Sequence, residues 1–145
     1  MEIVRIYEIP DCKMVSSGIG MFGEEKFENF PKWFSSLPAT IFPRDFLFED
    51  KGALHWVILY DPSMDVPKEF EIIDFKGGLF AVCCDIDQKT DIEAMDKVRK
   101  DFLDKFDYEI DNSRPTMGHI IGSQLTQEVL KYEQMDYWTP IKQKK

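Results

Sequence analysis

The chain has 145 residues, 43% of them hydrophobic and 31% charged, which fits a single globular domain spanning 1–145. Its net charge of −9 argues against direct nucleic-acid binding, because such a surface repels phosphate backbones and draws in cations instead. Three cysteines, two of them adjacent, exclude a disulfide framework; no Cys/His spacing suits zinc, no motif calls for a cofactor, and there is neither a leader nor an apolar run of about 18 residues, so the expectation is a cytoplasmic protein without a membrane contact.

Aromatic residues make up 14% of the chain, and 12 of them are Phe, which points to an aromatic core, an aromatic pocket, or both. Glu2 to Ile9 alternates Ile3, Ile6 and Ile9 with charged residues and stops at Pro10, the pattern of a first strand. Lys13 to Phe22 reads as a second strand running into a turn at Gly23. Between Glu24 and Leu37, the residues Phe27, Phe30, Phe34 and Leu37 recur at helical spacing. Pro31 interrupts them, so either the helix begins near Phe30 or a short turn before it is kinked.

After the loop marked by Pro43, Arg44–Glu49 and Ala53–Tyr60 flank Asp50-Lys51-Gly52 and predict a hairpin. In its second arm Trp56, Ile58 and Tyr60 share one face and His55, Val57 and Leu59 the other, so an interior strand is expected. Asp61 to Glu69 is loop, and Phe70 to Phe75 is an apolar–polar mix before the Lys76-Gly77-Gly78 turn. Leu79 to Ile86 is a continuous apolar run ended by Asp87, with Cys83 and Cys84 read as small core hydrophobes. Thr90 to Phe106 is the clearest helix: Thr90 and Glu93 form a capping box, and Ile92, Met95, Val98, Phe102 and Phe106 make its apolar stripe. On its wet side Glu93–Lys97, Asp96–Lys100 and Asp101–Lys105 have ion-pair spacing.

Tyr108 to Pro115 reads as a polar connection, Met117 to Ile121 as a strand before Gly122, and Ser123 to Leu130 as either a helical turn or a hairpin arm. His55 and His119 are expected to pack within strands. The last strand, within Tyr132 to Lys142, puts Met135, Tyr137, Thr139 and Ile141 on one face and Gln134, Asp136 and Trp138 on the other. A carboxylate one pleat from an indole suits an organic cation; the plainer alternative is an edge strand with a wet polar face.

Strand, helix, strand, strand occurs twice, over about 13–60 and about 78–141. Two βαββ units can join in one antiparallel sheet with both helices on one face, giving an α+β fold. The uncovered face then has either another cover or a ligand groove, and in the second case Ala53–Tyr60 and the last strand oppose each other across it.

This pattern, with Gly77-Gly78-Leu79-Phe80-Ala81-Val82 opening the second half and Asp136-Tyr137-Trp138-Thr139-Pro140-Ile141-Lys142 closing it, resembles GyrI-like domains, the effector-binding domains of Rob-type and other AraC-family regulators. Arg114-Pro115 leading to Gly118-His119-Ile120-Ile121-Gly122 is also similar to members fused to DNA-binding heads. The resemblance spans almost the whole chain. It implies two βαββ repeats around a cleft that senses small molecules, often lipophilic cations, with a DNA-binding head or regulator as partner. Asp136 falls where the family usually has Glu, and Trp138 matches its pocket aromatic. The expected ligand-binding residues are Asp136, Trp138, Trp56, Tyr60 and Phe80, with Glu133 as a substitute acid if a bulge shifts the register. The resemblance leaves two alternatives: a hydrolase of reactive xenobiotics, using Asp136 or Glu133 with Tyr60 or Tyr137 as acid–base pair, and a gyrase-inhibitor-like protein-interaction module.

Overall fold

The computed structural model describes residues 3–38, 40, 44–86, 89–121 and 124–145, the last segment by its backbone alone at 124–126. Glu2, Pro43, Asp87, Gly122 and Ser123, named above as element ends or loop marks, lie outside the described residues. The order is β1 (Arg5–Ile9), β2 (Cys12–Gly20), α1 (Glu25–Phe34), β3 (Asp45–Asp50), β4 (Ala53–Leu59), β5 (Glu71–Phe75), β6 (Gly78–Ile86), α2 (Ile92–Lys105), β7 (Tyr108–Ile110), β8 (Met117–Ile121), α3 (Gln124–Leu130) and β9 (Gln134–Gln143). Among the described residues no helix is long and apolar enough to cross a membrane.

The nine strands among the described residues join one antiparallel sheet, ordered β1-β6-β9-β8-β3-β4-β2-β5, with β7 on β9 beside β8. The two βαββ units are β2-α1-β3-β4 and β6-α2-β8-β9, and they meet at the β3–β8 pair, where Leu47 faces Gly118 and Phe48 faces Met117. Each unit is preceded by a strand that pairs with the other unit: β1 lies on β6, and β5 lies on β2. The mixed 70–75 stretch and the polar 108–115 connection thus become β5 and β7, because each finds a partner that sequence alone does not display. The ambiguous segment before β9 is the helix α3.

Both long helices cover the same face. Phe30 of α1 packs on Val15 and Ile58, and Leu103 of α2 packs on Ala81 and Ile141. The helix α1 runs unbroken from Glu25 through Pro31, so neither predicted start near Phe30 nor a separate turn is seen. Phe27 and Phe30, at most 2% exposed, bury enough apolar area to outweigh the hydrogen bond that Pro31 cannot donate. In α2 the cap is Asp91, one residue later than expected: its carboxylate accepts from the Ala94 N–H at 3.1 Å. Thr90 is occupied elsewhere, with its hydroxyl on the Ile86 carbonyl and against the Tyr137 hydroxyl. The buried stripe of α2 centres on Met95 and Leu103, while Ile92 and Phe106 are exposed. Lys97 and Lys100 pair forward with Asp101 and Asp104.

A buried Arg114 ties the second unit together. Its Nε donates to Asp111 at 2.8 Å, its Nη2 to the carbonyls of Leu79 and Ile141, both at 2.9 Å, and its guanidinium lies 4.8 Å over the Phe80 ring. Gly78, at φ +141°, makes room: a Cβ there would stand 2.8 Å from the guanidinium carbon. Hydrogen bonds from the Ser113 hydroxyl, from Arg114 and from the Ser113 N–H hold the Asp111 carboxyl well below the usual carboxylate range.

Arg114→Met removes the charge partner of Asp111 and the donors to two buried carbonyls, and should cost about 3 to 5 kcal/mol in urea unfolding. Because the folded value of Asp111 lies below the unfolded value of about 3.9, its stabilisation is complete above about pH 4 and is lost as the pH falls further. Asp111→Asn should therefore unfold more readily at pH 7 yet lose less stability than wild type between pH 5 and pH 2, as followed by circular dichroism.

Candidate functional site

The face away from the helices carries a second core. Met14, Val57, Phe75, Phe80, Val82, Met117 and Trp138 form one continuous cluster there. In the strand order β6 and β2 are five positions apart, which is roughly 24 Å in a flat sheet. Their residues share a cluster, so the sheet curls around this face. The turn between β5 and β6 lies at one end of the curl, where Gly77 N–H donates to Asp11 and packs against the Ile9 carbonyl.

The other end remains open as a pocket of about 300 Å³ lined by Arg5, Tyr7, His119, Ile121, Asp136 and Trp138. Three strands build it by alternation. β9 supplies Asp136 and Trp138, β8 supplies His119 opposite Asp136, and the edge strand β1 supplies Arg5 and Tyr7. Tyr7 is stacked on Trp138, with centroids 5.3 Å apart and planes 21° apart. Phe46 and Phe80 meet the indole edge-on from the interior, at 5.2 and 5.6 Å. The indole is held by packing rather than by a polar contact: its buried Nε1–H has no acceptor among the described residues. His119 lies against Phe46 and edge-on to the same indole.

The Asp136 carboxylate is 5% exposed, and its Oδ1 accepts from Arg5 Nη2 at 3.0 Å. Arg5 also donates to the Tyr7 hydroxyl at 3.2 Å and lies over that ring. The Arg5 side chain is 42% exposed, so this ion pair has one dry partner and one wet one. Cys84 faces Asp136 across the β6–β9 ladder. Although Cys84 as a residue is exposed, partial desolvation of its thiol, a hydrogen bond to Asp136 and the negative charge of that carboxylate push the thiol up to about 11.

Of the expected site residues, Asp136, Trp138 and Phe80 lie on this face together, with Phe80 behind the indole rather than on the pocket wall. Trp56 and Tyr60 do not join them. They fall on the helix side, where Trp56 is caged by Phe22, Phe27, Phe30 and Phe34 and its Nε1–H donates to Asp45 at 2.9 Å. Tyr60 packs in the same α1 cluster. The strands β4 and β9 do not confront each other directly, since β3 and β8 lie between them as the floor of the curl. Glu133 precedes β9, whose pairing with β6 and β8 is regular from Gln134 onward, so no bulge brings that acid into the pocket. Asp136 does not meet either tyrosine considered above as an acid–base partner, because Tyr137 hydrogen-bonds Thr90 on the helix side and Tyr60 packs under α1. Cys83 is core, but Cys84 is exposed on the pocket side.

Sequence reasoning missed Arg5, Tyr7, His119 and Ile121. The alternation of β1 does place Arg5 and Tyr7 on one face, but Arg5 meets Asp136 across 131 residues of chain. His119 was expected to pack within its strand, and it does, at the pocket wall.

No protein-family model matches this sequence, and no curated protein sequence matches it. Solved structures do share its fold. The C-terminal domain of EcmrR has a TM-score of 0.64 at 9% identity, covering 99% of both chains. EcmrR in its DNA complex, EcmrR-RPo, has a TM-score of 0.61 at 10% identity; the match covers 99% of this chain and 58% of that one. SAV2435 bound to tetraphenylphosphonium has a TM-score of 0.52 at 13% identity, covering 97% and 94%. A hydrolase from Listeria innocua has a TM-score of 0.53 at 12% identity, covering 96% and 91%. At these identities the likeness is one of fold: the chain is an α+β domain of the same architecture as the EcmrR C-terminal domain.

Asp136→Asn removes the charge that holds the Cys84 proton while leaving Arg5 beside it, so the thiol should titrate lower. Cys84 should then alkylate with iodoacetamide several-fold faster at pH 8 than in wild type. Peptide mapping by mass spectrometry separates it from Cys12 and Cys83; an unchanged Cys84 rate would mean that the carboxylate does not act on the thiol.

Proposed function

We propose that the chain is a GyrI-like effector-binding module that takes a lipophilic aromatic cation into the Arg5–Tyr7–Asp136–Trp138 pocket and reports its occupancy to a transcription regulator. The observation that carries this reading is a buried carboxylate bordering a stacked Tyr7–Trp138 wall in a pocket open to solvent. A desolvated acid supplies charge and the rings supply a flat apolar surface, which together are what a lipophilic cation needs. The net charge of −9 raises the local concentration of such ligands. The regulator context is supported by the shared fold with EcmrR, which is seen in a DNA complex, and the ligand class by SAV2435, which is seen with tetraphenylphosphonium.

Arg5 does not contradict this. It pairs with Asp136 and thereby offsets the burial of that carboxylate, and its half-exposed side chain returns to water when a ligand enters. The cost is affinity, since a tethered cation competes with every free one.

Tetraphenylphosphonium or a rhodamine should quench tryptophan fluorescence saturably, with the signal lost in Trp138→Phe. Tyr7→Ala should cost about 0.5 to 2 kcal/mol of binding free energy, the range of a cation over an aromatic face. Asp136→Asn should weaken binding by at least about tenfold, the loss of one charge-assisted contact. Equal binding by Asp136→Asn would remove the charge from the reading, and no binding by any cation would remove the reading itself.

A further inference from the structure

The pocket constrains more than the sign of its ligand's charge. Asp136 is 5% exposed and sits deep, whereas its partner Arg5 is 42% exposed and projects from an edge strand. On opening the pair, the carboxylate stays and the guanidinium leaves. A carboxylate so dry requires hydrogen-bond donors as well as countercharge, because a buried charged acceptor without them pays its full desolvation cost. Its Oδ1 accepts from the Arg5 Nη2–H at 3.0 Å. A cation without N–H groups would replace the charge of Arg5 and leave Oδ1 without this bond. The neighbouring wall asks for a flat ring: Tyr7 and Trp138 lie stacked, and the volume of about 300 Å³ holds a small aromatic body.

We propose that the ligand class is a flat aromatic cation carrying N–H donors, such as an aryl amidinium, which takes the place of the Arg5 guanidinium on Asp136. This rests on the binding reading above and narrows it. The amidinium donates to Asp136 as Arg5 does, and the aryl body lies against Tyr7. That ring contact is what lets a free ligand compete with a tethered guanidinium, which has no comparable area of its own. Quaternary ammonium and phosphonium cations enter the same pocket with lower affinity, because they cannot donate.

The test compares two probes with one body: biphenyl-4-carboxamidinium and biphenyl-4-yl-trimethylammonium. Affinities are measured by isothermal titration on the full chain, for wild type and Arg5→Met. Wild type should bind the amidinium about tenfold or more tighter than the trimethylammonium, the effect of one hydrogen bond to a charged group. Arg5→Met should bind the amidinium tighter than wild type, because the competitor is gone. Equal or tighter binding of the trimethylammonium would overturn the donor requirement and leave the cation pocket standing. Weaker amidinium binding by an Arg5→Met protein with a wild-type circular dichroism spectrum would show that Arg5 recognises the ligand, and would overturn the replacement. Binding of neither probe by either protein would overturn this inference together with the binding reading beneath it.

Discussion

Everything in the second half of this domain depends on β9 being an interior strand. It pairs with β6 along eight residues on one side, from Leu79–Ile141 to Ile86–Gln134, and with β8 and β7 on the other. An interior strand with fixed register has no freedom in the direction of its side chains, since a slip of one residue would turn every one of them to the wrong face. Asp136 and Trp138 are therefore held on the curled face, and Thr139 and Ile141 on the helix side, by the backbone ladder. Arg114 adds a cross-brace by donating to carbonyls of both β6 and β9. The wet-edge alternative for this strand fails for the same reason: its faces are both covered, and Trp138 and Ile141 are 8% and 1% exposed.

The exchange of leading strands joins the two halves. β1 belongs in sequence to the first unit and pairs with the second, and β5 does the reverse. One consequence is mechanical, because each unit finishes the edge of the other. The other consequence is chemical. The pocket acid comes from near the end of the chain, and the cation and phenol that complete its wall come from near the beginning. Arg5 and Tyr7 sit on a strand with a sheet partner on only one side, whereas Asp136 and Trp138 have partners on both. The rigid part of the site and its adjustable part thus arise from different levels of support in one sheet.

The histidines illustrate how the same packing serves both halves. His55 stacks on Phe48 at 5.0 Å, and His119 lies against Phe46 at the same distance. Both phenylalanines come from β3, the strand at the junction of the two units. His119 lines the pocket, on the side where an edge strand brings an aromatic wall and a charge pair.

The sequence by itself determined the elements whose signals are local. The two-unit α+β pattern, the long helices and the alternation of β9 were all legible, since each depends on spacing within about a dozen residues. So was the pairing of Asp136 with Trp138 on one face. Which face of β4 meets that site was not legible. Trp56, Ile58 and Tyr60 are as apolar as His55, Val57 and Leu59 allow, so a strand buried on both sides carries no mark of its direction. Only the register of β4 on β2 and β3 sends Trp56 under α1 and Val57 to the curled face. Likewise, nothing local links Arg5 to Asp136. Tertiary structure alone decided that the site's acid would already be paired, because strand pairing between distant segments is fixed by the packing of the whole sheet.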